Sequence, residues 1–122
     1  MTPRSQEERL ALNEARVREV NETIESANEK LGPAPGENGL ELHILCECGT
    51  RGCDQIVQIT SEEYREVRDE PTRFVVVPGH ERARIERIVE EKRRFAVVEK
   101  VGAAAKIAER TDPESPGAVS PL

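Results

Sequence analysis

Apolar residues near the start of the chain recur at three- and four-residue intervals: Leu10, Val17, Ile24 and Leu31, with Val20 and Ala27 between them. This spacing predicts a helix over 1–31 carrying a narrow apolar stripe, sustained for about three heptads and interrupted at Asn13. Ser5 and Glu8 form a capping-box pattern, in which paired side chains satisfy free backbone N–H groups at the helix start. The stripe suits packing on the chain's own sheet as well as it suits a coiled-coil partner, and Asn13 suits a register-setting position in a dimer. The segment 32–39 (GPAPGENG) ends the helix, because Pro33 and Pro35 cannot continue it and its glycines make a flexible linker. The helix and the remainder are therefore expected to be separate units.

From Leu40 the period changes to two. Leu40, Leu42 and Ile44 alternate with Glu41, His43 and Leu45, predicting a strand that runs into the first cysteines. A second strand is predicted at Gln55–Ile59. Thr60 then caps a short helix, with Glu63 completing a capping box, Tyr64 and Val67 facing inward and Pro71 as the stop. Arg73–Val77 is the strongest strand signal, turned by Pro78-Gly79. In 84–90, Ile85, Ile88 and Val89 fit a helix face, but a hairpin into the strand Phe95–Lys100 is favoured. Residues 102–110 are read as a possible short helix and 111–122, rich in Pro and Ser, as a disordered tail. The fold class is thus α+β: a long N-terminal amphipathic helix, then a small zinc-bound β-rich domain at 40–101 with one short helix.

Composition explains why a metal enters this expectation. Of 122 residues, 34% are charged and 36% hydrophobic, with one Tyr, two Phe and no Trp. Ordering a residue costs roughly 1–2 kcal/mol of backbone entropy. So lean a core calls for a further cross-link. A net charge of −6 and a pI near 5.1 disfavour nonspecific binding to nucleic acid. The stretch 80–95 holds six basic residues against four acids, without aromatic residues interleaved for base stacking, and reads as a solvated face. No segment approaches the roughly 20 apolar residues of a membrane span, and the N-terminus lacks a signal-peptide pattern, so the expected location is the cytoplasm. In that reducing compartment, clustered cysteines point to metal or redox chemistry.

The cluster is Cys46-Glu47-Cys48-Gly49, followed by Cys53. Two cysteines one residue apart can present both sulfurs to one ion if the chain turns sharply, and Gly49 permits that turn. Gly52 allows a second close approach beside Cys53. Zinc takes four thiolate or imidazole ligands in a tetrahedron, and a closed set is structural. His80, in the turn Pro78-Gly79-His80-Glu81, is preferred as fourth ligand over His43, with Glu81 as a partner to orient its ring. The leading function is a non-enzymatic structural-zinc module that meets a protein partner or a second copy through the N-terminal helix. A thiol/zinc redox sensor is the alternative, and a zinc-dependent hydrolase a more distant one, since three thiolates weaken the ion as a Lewis acid. Zinc-protease and nucleobase-deaminase motifs are absent.

The stretches REVNETIE (18–25), ITSEEYREVR (59–68), FVVVPGHE (74–81) and FAVVEK (95–100), with the cysteine cluster, resemble a family of small uncharacterised actinobacterial proteins. The resemblance spans residues 9 to about 102. It implies this order of elements, and a histidine at the position of His80 rather than His43. It implies no activity. The family's cluster often lacks the Gly-Thr-Arg-Gly loop present here at 49–52.

Overall fold

The computed structural model of the chain describes residues 6–29, 41–50, 52–82 and 85–114. The expected Ser5 cap partner, Leu31, Leu40 and the linker 32–39 lie outside these residues. The elements run α1 (Gln6–Glu29), β1 (Glu41–Leu45), β2 (Ile56–Thr60), α2 (Ser61–Arg68), β3 (Arg73–Val76), β4 (Glu86–Glu91), β5 (Ala96–Lys100) and α3 (Gly102–Arg110). The class is α+β. No described helix is long and apolar enough to cross a membrane.

Strand β1 pairs antiparallel with β2, from Glu41 opposite Thr60 to Leu45 opposite Ile56. The period-two pattern is realised: Leu42 and Ile44 are buried, whereas Glu41 and His43 are exposed. Thr60 Oγ1 accepts the Glu63 N–H at 3.1 Å and the Glu63 carboxylate accepts the Thr60 N–H at 3.0 Å, the reciprocal cap the sequence predicts for α2. The second sheet has the order β3-β5-β4, all antiparallel. Residues 86–91 are therefore a hairpin arm, with an irregular register between Ile88 and Glu90. All three aromatic residues, Tyr64, Phe74 and Phe95, are buried in the main core with Leu42, Ile44, Val57, Ile59 and Val75.

Helix α1 departs from expectation. Its buried face is Ala11, Glu14, Ala15, Arg18, Asn21 and Glu25. Leu10 and Ile24 of the predicted stripe are half-buried against the chain's own core, and Val20 is exposed. The helix is thus packed on the rest of the protein rather than standing apart. Small residues let it approach closely, and polar ones find partners. Arg18 donates to the carbonyls of Pro71 and Ala108, the latter at 2.7 Å, with its guanidinium 4.4 Å above the Phe74 ring. Asn21 acts as a strand would: Nδ2 donates to Leu45 O and Oδ1 accepts Leu45 N–H, both at 2.9 Å. Arg68, buried on α2, ion-pairs with Glu22 and with Asp112. Thr111 and Asp112, assigned to the tail by composition, are accordingly buried, and the Thr111 N–H bonds Ile107 O at 3.0 Å. Residues 115–122 are outside the described set.

A second polar knot joins Glu14, Glu86 and Lys100, whose ammonium contacts both carboxylates. Burial, opposed in part by Lys100 and reinforced by Glu86, holds the Glu14 carboxyl up at about 8. Unfolding returns it to the usual 4.5. Between those values the folded protein keeps a proton that the unfolded chain has lost, so this contribution is complete below pH 4.5 and disappears as pH rises through 8. Over pH 6.5 to 9 the loss is about 2 kcal/mol, at roughly 1.4 kcal/mol per unit. Urea denaturation across this range should show the wild type weakening relative to Glu14→Gln, which has no proton to lose. Parallel profiles would remove Glu14 as the cause.

Candidate metal centre

The connection from β1 to β2, residues 46–55, carries the three cysteines. Its geometry follows from a few backbone bonds. The Cys46 N–H donates to Gln55 O at 3.0 Å, prolonging the hairpin by one pair, and the Glu47 N–H reaches Val75 O at 2.8 Å, tying the loop to β3. The Cys53 N–H closes a turn onto Thr50 O at 3.0 Å. Gly49 and Gly52 adopt φ of +69° and +84°, the left-handed region where a Cβ is costly. Beyond β3, the His80 N–H donates to Val77 O at 2.9 Å, and this tight turn swings the imidazole back towards the loop.

Together these elements place donor atoms of Cys46, Cys48, Cys53 and His80 within 4.8 Å of one another. The His80 Nδ1 faces the sulfurs, 3.5 Å from Cys46 Sγ and 3.8 Å from Cys53 Sγ. His43, the competing candidate, is exposed on β1 opposite Gln58 and takes no part. The Val77 N–H donates to Cys46 Sγ at 3.2 Å. Burial pushes the Cys46 thiol up to about 12, against the Val77 bond. At Cys48 burial also opposes ionisation, but hydrogen bonds with Thr50, His80 and Cys53 outweigh it and bring the thiol down to about 7. Glu81, expected to orient the imidazole, instead has Oε2 buried without a hydrogen-bond partner.

Two residues do more to position this loop than the sequence pattern announces. Glu47, between the first two cysteines, is fully buried, and its carboxylate accepts from Asn21 Nδ2 at 2.8 Å, Tyr64 OH at 3.0 Å and the Val75 N–H at 2.8 Å. Burial still raises its carboxyl above the ordinary range. One side chain thereby fastens the Cys-x-Cys turn to α1, α2 and β3. Gly49 was expected only to turn. It is also pressed on α1, where an added Cβ would lie 2.4 Å from Glu14 Cγ and 2.9 Å from Leu10 O. The available signal was the helical spacing of Glu14, Arg18, Asn21 and Glu25, which an apolar count ignores.

Comparison with family models, with curated proteins and with solved structures finds no match to this chain.

Proposed function

We propose that Cys46, Cys48, Cys53 and His80 hold one zinc ion as a closed structural site in a non-enzymatic interaction or regulatory module. The observation that carries this reading is the convergence of three sulfurs and one imidazole nitrogen from two separate turns. With zinc–sulfur bonds of about 2.3 Å and zinc–nitrogen bonds of about 2.0–2.1 Å, a tetrahedron needs donor separations of roughly 3.5–3.8 Å. The His80 Nδ1 distances to Cys46 and Cys53, 3.5 and 3.8 Å, already match. A divalent cation also supplies the charge that makes a buried Cys46 thiolate affordable. With four protein donors no position is left for a reactive water, which favours structure over hydrolysis.

Elemental analysis of freshly purified protein should give one zinc per chain, lost in Cys48→Ser and His80→Ala and retained in His43→Ala. Metal-free wild-type protein, or equal loss in both histidine variants, would refute the assignment. The partner surface in this reading is the outer side of α1, where Val20 and Ala27 are exposed. Light scattering on the same zinc-loaded sample separates a second copy from a partner of different sequence, the former giving twice the 13.6 kDa of one chain.

A further inference from the structure

The four donors are not equally reachable. Cys46 and Cys48 are buried, whereas Cys53 is half-buried. Cys53 also lines an open groove of about 530 Å³ between α1 and the loop, whose other walls are Asn13, Arg16, Val17, Gly49, Thr50 and Gly52. The groove is far larger than a small oxidant needs, since a water molecule occupies roughly 30 Å³ of liquid. Resting on the zinc reading above, we propose that Cys53 is a modification site: the sulfur at which a peroxide attacks the centre, with Cys48 resolving the product as a Cys48–Cys53 disulfide and zinc released.

The choice of resolving cysteine follows from what holds each sulfur. Cys46 Sγ is fixed by the Val77 N–H at the end of β3, and a bond to Cys48, one residue away, would have to close a strained small ring. The sulfurs of Cys48 and Cys53 lie within 4.8 Å of each other. Between them, 49–52 contain two glycines able to absorb the backbone adjustment. In the reaction, Cys53 thiolate attacks one peroxide oxygen. The O–O bond breaks, an S–O bond forms, and the departing hydroxide takes a proton to become water. Cys48 thiolate then attacks the Cys53 sulfenic sulfur, forming S–S and expelling hydroxide, which is protonated to a second water. Two thiolates lose one electron each, peroxide gains two, and Zn²⁺ departs unchanged. Cys46 and His80 alone cannot keep it.

Trypsin provides a direct readout, because Arg51 lies between Cys48 and Cys53. Zinc-loaded full-length protein is titrated with hydrogen peroxide while a chromogenic indicator reports zinc. Samples are then alkylated, digested without reduction and sequenced by mass spectrometry. The expected product joins the peptide ending at Arg51 to the peptide beginning at Gly52, through Cys48 and Cys53, in step with zinc release. Cys53→His, which keeps a zinc ligand but cannot be oxidised, should slow release about tenfold or more. A disulfide confined to the peptide holding Cys46 and Cys48, first oxidation at Cys46, or a Cys53→His protein that loses zinc as fast as wild type would overturn the proposal and leave the zinc reading standing. If Cys53→His does not fold, the wild-type peptide map decides alone. A chain purified without zinc would overturn both.

Discussion

Stripping the metal with a strong chelator should abolish the cooperative thermal transition of this protein. Structural zinc contributes an apparent 10–16 kcal/mol, roughly, in small zinc-dependent folds, and the whole stability of a small domain is about 5–15 kcal/mol. In the proposed site the ion would close a loop that also seats α1 through Gly49 and Glu47. Losing it would leave a buried thiol pair and unfasten three elements together. The chain offers a clean probe, with one Tyr and no Trp. Tyr64 is fully buried and donates to Glu47, the residue between Cys46 and Cys48. Its near-ultraviolet circular dichroism should collapse on chelation and return on adding back one equivalent of zinc. A chelated protein that keeps both this signal and its melting transition would show that the site is not structural.

Gly49→Ala should be the most damaging single-methyl addition in the loop. A left-handed φ costs a non-glycine residue about 1–2 kcal/mol. The new Cβ would in addition lie 2.9 Å from Leu10 O, a backbone atom that moves only if α1 moves, and 2.4 Å from Glu14 Cγ, which is held by Lys100. With about 1–3 kcal/mol for the overpacking, a total loss of about 2–5 kcal/mol is expected. Gly52→Ala is the internal control: its φ is +84°, but nothing lies within 4 Å of its added Cβ. It should lose only the backbone part, about 1–2 kcal/mol, and keep its zinc. Equal losses at the two glycines in denaturant titrations would mean that α1 does not press on the loop.

What could be read from the residues depended on which physical signal each carried. Leu42 and Ile44, and the cap at Thr60 and Glu63, announce themselves because alternation and capping are local. That His80 gathers with the three cysteines was legible because a Pro-Gly turn must aim its neighbours somewhere. Residues 86–91 were ambiguous because Ile85, Ile88 and Val89 satisfy both periods; only pairing with β5 resolves them. The buried side of α1 was invisible for a different reason. Counting apolar residues scores Glu14, Arg18, Asn21 and Glu25 as solvent-facing, yet each is buried. Asp112 was misplaced in the tail for the same reason, since its partner Arg68 is 44 residues away. Such pairs contribute little beyond an apolar substitute, but removing one member costs about 3–5 kcal/mol, so they specify the arrangement more than they strengthen it.

The polar side of α1 also sets the order in which the molecule can be completed. Arg18 reaches Pro71 and Ala108 across 53 and 90 residues, and Glu14 reaches Lys100 across 86. Helix α1 is thus made before the segments that seat it, and its polar face waits in water until residues as far along as Ala108 have been synthesised. Contacts this distant in sequence slow folding and postpone closure until both partners of each pair have been made.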